Sequence, residues 1–516
     1  MGAQTEAAGP DFSHGISLAD VPPEGTLSGR VGDSPILLSR LGGELFAIGG
    51  TCTHYGAALA SGLVEGKTVR CPLHHACFDL RTGAALRAPA LDPLDRWQVE
   101  IEGDSAFVRK KLGSAAENIR AASDNIEKVV IVGGGAAGLA CAHELRRLGY
   151  AGDITMLSAD QNPPCDRPNL SKDYLAGTVP AEWLPLRAED WYDENRIRLR
   201  LGCEVTKLDP TGQRVHTAGG EDHPYDRLLL ATGSEPNRLR GPGFDGENVF
   251  TLRSIADAAA VAAAASPGAR AVIIGASFIG LEAAAALRQR GLDVTIVAPD
   301  EVPFERVFGA EIGAWFKHLQ EGRGVQFRLG TGAEAMENGQ VRLADGRSIP
   351  ADFVLLGVGV HPRTAVAEAS GIATAGGGLQ VDQFLETSTP GIFAAGDIAA
   401  YPDPLTGEPI RIEHWVVAER QGQAAAANML GEKRPFRTVP FFWTEQFGVS
   451  LRYVGRAAGW DRIEIDGDVA KGDFVARYYD GGRHCASAGV GRDLAILEDE
   501  RHLEAAIASA MAEVFA

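Results

Sequence analysis

The residues best equipped for chemistry stand near the N-terminus. Cys52-Thr53-His54-Tyr55-Gly56 is followed, after a sixteen-residue gap from His54, by Cys71-Pro72-Leu73-His74. Two turns that each offer one thiolate and one imidazole can enclose a metal centre. The donor set Cys52, His54, Cys71 and His74 suits tetrahedral zinc. It equally suits a [2Fe–2S] cluster with both thiolates on one iron and both imidazoles on the other. Zinc fingers usually pair two cysteines in one loop and two histidines after it, whereas here each loop is mixed. Four satisfied structural side chains are the third reading.

Two glycine turns are suited to a different task, holding anionic nucleotides. Gly133-Gly134-Gly135-Ala136-Ala137-Gly138 fits G-x-G-x-x-G. The first glycine of that pattern makes a tight turn and the second lets the backbone approach a pyrophosphate. The third lets a helix pack closely on a strand. Gly275-Ala276-Ser277-Phe278-Ile279-Gly280 repeats the pattern with Ser277 at the middle position, where a hydroxyl can itself hydrogen-bond phosphate. The acidic residue that usually reads a ribose after the next strand is displaced in both units. In the first, Ala159 falls near that place and Asp160 follows it, so Asp160 is the candidate. In the second, Ala298 ends the strand, Asp300 and Glu301 follow, and no Arg or Lys appears until Arg306. A 2′-phosphate would find no partner there, which favours NADH over NADPH.

The apolar pattern supplies elements to position these motifs. Residues Ile16 to Lys110 alternate short apolar runs with Gly- and Pro-bearing turns and read as a small all-β unit. Residues 111–126 are polar, Ala- and Ser-rich, and read as a linker. Val129–Val132, the first glycine turn, a helix over Ala136–Leu148 and Ile154–Leu157 then form a βαβ unit. Ala271–Ile274, the second turn, a helix over Phe278–Arg290 and Val294–Val297 form another. Two such units predict two parallel-sheet nucleotide domains. Strand-like runs at Val449–Val454 and Phe474–Tyr479 and a helical end at Leu503–Phe515 predict a small α+β tail.

Composition sets the limits. The 516 residues predict roughly three to four domains. With 49 basic and 68 acidic residues the net charge is −19, against a sequence-independent grip on nucleic acid or anionic lipid. Single nucleotides remain open, because backbone N–H groups can hold their phosphates. Glycine, 63 residues, is about 12% of the chain against a usual share of about 7%, and the phosphate turns account for its informative part. No secretory segment follows Met1 and no apolar run is long enough for a membrane span, so a reducing cytoplasm is expected. The seven cysteines are then read as ligands before disulfides.

C-T-H-x-G with C-P-x-H closely resembles the Rieske family. Respiratory Rieske proteins carry two further cysteines where this chain has Ala57 and Leu73, and cluster-facing hydroxyls where it has Ala76 and Phe78. The resemblance is therefore to ferredoxin-type Rieske modules of lower potential. His75 stands where that type commonly has glycine; it and the nearby Cys77 read as surface or packing residues.

Further along, Ala231-Thr232-Gly233-Ser234 resembles the A-T-G turn by which flavin reductases return to the FAD domain. Thr389-Pro390-Gly391-Ile392-Phe393-Ala394-Ala395-Gly396-Asp397 resembles their second flavin motif, whose aspartate bonds the ribityl chain. Arg167-Pro168-Asn169-Leu170-Ser171-Lys172 adds another match. In this order the motifs resemble the two-dinucleotide-binding flavoproteins over about 127–516. With the N-terminal module included, the chain resembles an apoptosis-inducing-factor-like Rieske–flavoprotein fusion of ferredoxin-reductase type.

The resemblance implies a Rieske domain at 1–110, a linker at 111–126, and an FAD domain at 127–248 and 380–435. It implies an NAD(P) domain at 249–379 and an α+β domain at 436–516. The first loop (Gly133, Gly135, Gly138) then serves FAD with Asp160, Arg167, Thr232, Gly233, Gly396 and Asp397. The second (Gly275, Ser277, Gly280) serves the nicotinamide nucleotide. Lys172 and Glu282 match a family pair in which a lysine approaches the flavin and a glutamate holds it; two solvated helix charges are the competing reading. His414, Trp415 and Trp443 match segments lining the flavin and nicotinamide face, with ordinary core as the alternative. The implied activity is hydride transfer from NAD(P)H to FAD, then single electrons to the cluster and on to an external acceptor such as an oxygenase component. Disulfide reductases place two cysteines four residues apart beside the flavin, whereas Cys165 stands alone. A self-contained NADH oxidase or reductase of a small acceptor, and a redox-sensing interaction protein, are the rival functions. A homodimer is compatible with all three.

Overall fold

The computed structural model describes residues 9–114 and 126–514. The N-terminal unit is built from two antiparallel sheets. One runs Ile16–Ser17, Ser105–Gly113, Arg96–Glu102, Glu44–Gly49, Ser34–Leu41, Gly25–Val31 in spatial order; the other joins Leu63–Glu65, Thr68–Arg70, Cys77–Asp79 and Ala85–Arg87. Ile36, Leu37 and Leu38 are all buried, because the strand has a core on each face. Leu37 points to the core that holds Cys52 and Cys71, while Ile36 and Leu38 point to the opposite one with Phe12 and Val108. This two-sided burial explains why an antiparallel strand reads as a continuous apolar run rather than an alternating one. Its last strand extends to Gly113, into the expected linker, and the linker residues 115–125 lie outside the described residues.

Two doubly wound units follow. The first has five parallel strands in the order Ile197–Arg200, Asp153–Leu157, Lys128–Val132, Arg227–Leu230, Ile392–Ala394. The second repeats it with Val249–Phe250, Phe353–Leu356, Arg270–Ile274, Asp293–Ala298 and Gln326–Leu329. The helices Ala136–Arg147 and Phe278–Gln289 begin directly after the two glycine turns. A two-stranded ribbon, Ser234–Pro236 against Val360–Pro362, carries the chain out of the first unit and back. The sequence reading places the return at 380, but Ala367, Ile372 and Leu379 already pack in the first unit's core. Apolar residues soon after the ribbon bury against the nearer sheet, and no turn signal marks the change.

The tail is a five-stranded antiparallel sheet ordered Phe441–Gln446, Val449–Gly455, Arg483–Val490, Asp473–Asp480, Arg462–Asp468. The helix Asp493–Val514 lies against it and starts well before the expected Leu503. Among the described residues no helix is long and apolar enough to cross a membrane.

Candidate functional site

The two Cys/His turns of the N-terminal unit meet. His54 Nδ1 and His74 Nδ1 lie 3.1 Å apart. The two thiols are likewise neighbours: their mutual hydrogen bond, followed by burial, pushes Cys52 up, and the same bond draws Cys71 down. Both histidines are kept neutral by burial, His54 at about 4. The donors thus form a sulfur pair and a nitrogen pair. Among the described residues no three His, Cys, Asp or Glu side chains converge as one metal ion requires. A two-plus-two split fits two irons better than one tetrahedral zinc.

The first glycine turn opens on a cavity of about 670 Å³, within the size range of cofactor sites. Gly133 has φ 120°, and a Cβ there would stand 2.1 Å from the Ala231 carbonyl oxygen, so the turn admits no side chain. Gly135, Asp160, Arg167 and Thr232 line this cavity, and Arg167 donates to Asp160 at 3.2 Å. Gly138 lies at the helix start, close against the Gly133 carbonyl. An adjoining cavity of about 220 Å³ shares Gly135 and Arg167 and is lined by Lys172, Gly233, Glu282, Gly396, Asp397 and His414, with Trp415 and Trp443. The predicted first-loop residues are therefore brought together, Gly138 supporting the turn from behind. Buried atoms around the cavities lack protein partners, among them His414 Nδ1, Arg253 Nε and Gln421 Nε2. Such orphans, beside a glycine turn at a helix N-terminus, fit an elongated polar dinucleotide.

Of the second loop, Gly275, Ser277 and Gly280 lie outside both cavities, although Phe278, Ile279 and Glu282 of their helix line the smaller one. The Ser277 hydroxyl caps that helix by accepting from the Gly280 N–H at 3.2 Å. Asp397 is met by Arg253 at 2.6 Å, a partner no motif signalled.

Lys172 and Glu282 are an ion pair at 2.8 Å, not two solvated charges. Glu282 is 4% exposed. The Ser171 hydroxyl donates to its Oε2 at 2.6 Å and the Thr444 hydroxyl to its Oε1 at 2.8 Å. Behind Thr444, Gln446 and then Gln320 continue the buried chain. Thr444 and Gln320 escaped the sequence reading because their pairs span 162 and 126 residues, and Ser171, though part of the motif at 167–172, had no role assigned because Glu282 lies 111 residues away.

The strand Phe441–Gln446 joins the two centres. Phe441 and Trp443, on one face, meet His75 and His74, with ring centroids 4.1 Å apart in each case. Thr444, on the other face, reaches Glu282. Tyr55, stacked 4.2 Å from His54, donates its hydroxyl to Asp166 next to Arg167. The imidazole edge of the quartet is thus applied directly to the wall of the smaller cavity.

The comparisons agree with this geometry. Residues 127–422 match the pyridine nucleotide-disulphide oxidoreductase model, 16–98 the Rieske [2Fe-2S] domain and 441–515 the reductase C-terminal domain. The chain belongs to the pyridine nucleotide-disulphide oxidoreductase family. Within it the chain is 35% identical to apoptosis-inducing factor 3 of Homo sapiens over 90% of its length and 79% of the relative's. It is 37% identical to the anthranilate 1,2-dioxygenase system ferredoxin–NAD(+) reductase component of Burkholderia cepacia, over 71% of this chain and 91% of that one. A solved covalent putidaredoxin reductase–putidaredoxin complex aligns with TM-score 0.70 and 34% identity, covering 73% of this chain and 92% of that chain. This member of the oxidoreductase family is an FAD-dependent NAD(P)H oxidoreductase of ferredoxin-reductase type carrying a Rieske [2Fe–2S] domain. Despite the family's title, no disulfide is formed among the described residues, and Cys165, with no cysteine near it in sequence, is pushed up to about 11 by burial.

Proposed function

We propose that one chain carries out the whole conversion of a nicotinamide hydride into single electrons, and that its own Rieske centre is the internal acceptor. The observation that carries this reading is the His74–Trp443 contact, which links the quartet to the cavity holding Lys172 and Glu282. When bound, the flavin supplies hydride acceptance and the cluster one-electron carriage. Cys52 and Cys71 would hold one iron, His54 and His74 the other. Gly133, Gly135 and Gly138 with Arg167, Asp160, Thr232, Gly233, Gly396 and Asp397 would hold the FAD. Gly275, Ser277 and Gly280 would hold NADH in preference to NADPH.

Lys172 would supply an ammonium to stabilise the negative charge that a bound flavin gains on accepting hydride, and Glu282 holds that ammonium in the cavity wall. Ser171 and Thr444 fix the carboxylate in turn, so the charge pair is in place beforehand. His414 and Trp415 wall the same cavity and exclude water. Trp443 fills the space between cavity and quartet. No second copy is required for this path, whether or not the protein dimerises, and the reading puts the enzyme in the cytoplasm with an oxygenase component as final acceptor. Freeze-quenched electron paramagnetic resonance after anaerobic mixing with NADH tests it. The reading expects a reduced Rieske signal to follow flavin bleaching; bleaching without that signal contradicts it.

A further inference from the structure

A buried ionic cluster lies on the other side of the quartet. Glu500, on the tail helix, is 0% exposed. Its Oε2 meets Arg70 at 3.3 Å, Arg87 at 3.2 Å and His75 Nδ1 at 2.9 Å, all from the Rieske domain. Its Oε1 meets Arg420 at 3.4 Å, from the helix Trp415–Met429. Arg420 also donates to the carbonyls of His75 at 3.3 Å and Ala88 at 3.2 Å. Glu504 takes a second bond from Arg70 at 2.7 Å. Three domains therefore converge on one carboxylate. Burial opposes its charge, but Arg87, His75 and Arg420 hold it well below the usual carboxylate range.

His75 adds an independent observation. Its φ is 62°, in the left-handed region that favours glycine. A histidine accepts that strain only where its surroundings fix it. Here the ring is fully buried, stacked on Phe441 and bonded to Glu500. The neighbouring residue is His74, the one in contact with Trp443.

We propose that Glu500, with Arg70, Arg87, Arg420 and His75, is a latch that keeps the Rieske domain seated and His74 pressed on Trp443. The inference rests on the reading of the His74–Trp443 contact as the electron path. Glu500 is a positioning residue: it lies behind the quartet and touches no cavity residue named above. Removing one member of a buried ionic cluster leaves uncompensated charge, so the seat is lost more readily than it would be from an apolar interface.

The test is Glu500→Lys, with Glu500→Asp as conservative control, in the holoenzyme. Flavin bleaching by NADH should stay within about twofold of wild type, because none of the partners of Glu500 (Arg70, His75, Arg87 and Arg420) lines the cavity. Cluster reduction should slow by at least about tenfold and become sensitive to salt. Small-angle scattering should show a larger radius of gyration, the dithionite-reduced cluster should keep its resonance spectrum, showing the Rieske domain folded, and retained flavin bleaching should show the flavin domain folded. Glu500→Asp should restore cluster reduction towards wild type. Unchanged scattering and unchanged cluster reduction in Glu500→Lys would overturn the latch. If the wild-type cluster were never reduced, the electron path would fail, while the scattering result would still decide the latch.

Discussion

The two centres joined by the strand Phe441–Gln446 are built from different materials. At one, Lys172, Glu282, Ser171 and Thr444 form a charged, hydrogen-bonded group. At the other, Trp443, His74, His54 and Tyr55 form a run of ring contacts. Moving a hydride shifts a nucleus and charge together, so preorganised charge lowers its barrier. Moving an electron asks mainly for proximity and a dry contact. One strand serves both, with Trp443 and Thr444 on opposite faces.

If that division is right, substitutions at one centre should spare the step at the other. The largest effect is expected from Cys71→Ser: the cluster is lost, iron and labile sulfide analysis shows it, and flavin bleaching by NADH continues. Next comes Lys172→Met, which should slow flavin bleaching by about 100-fold and leave the cluster spectrum unchanged. Trp443→Leu should do the reverse, slowing cluster reduction by about tenfold while bleaching continues. Equal loss of both steps in Trp443→Leu would break the comparison, as would a changed cluster spectrum in Lys172→Met. Thr444→Val should sharpen it: about a tenfold slower bleaching from one lost bond to a charged group, and a Ser substitution that rescues it.

The smallest effect concerns His414. Burial, opposed by Asp397, lowers it from 6.5 to about 4. Between those values the unfolded chain takes a proton that the folded chain refuses, so His414 subtracts stability as pH falls through that window. His414→Gln should therefore lose less melting temperature than wild type between pH 7 and 4.5, by about 2–4 °C.

What could be read from the sequence follows from distance along the chain. The quartet and the glycine turns are local patterns, set by ligand spacing and by a strand–turn–helix geometry, and the structure brings the two Cys/His turns together and starts a helix after each glycine turn. Lys172 and Glu282 are 110 residues apart, and only the family resemblance paired them. Arg253 on Asp397 and Thr444 on Glu282 carried no local signal. Glu500 lies 425 residues from His75, and a buried carboxylate in an amphipathic helix looks like any surface one until its guanidinium partners are seen. His75 does turn out to be a packing residue, with a strained backbone that the sequence does not register. The return of the chain after the ribbon was misplaced because Ala367 and Leu379 could bury against either sheet.

The central claim is that electrons reach the cluster within one chain. The most direct measurement is the rate of cluster reduction in anaerobic stopped flow with excess NADH, repeated over a wide range of protein concentration. The seated Rieske domain predicts a first-order rate that does not change with protein concentration. A rate that rises in proportion to it, or a cluster that stays oxidised after the flavin bleaches, would contradict the account.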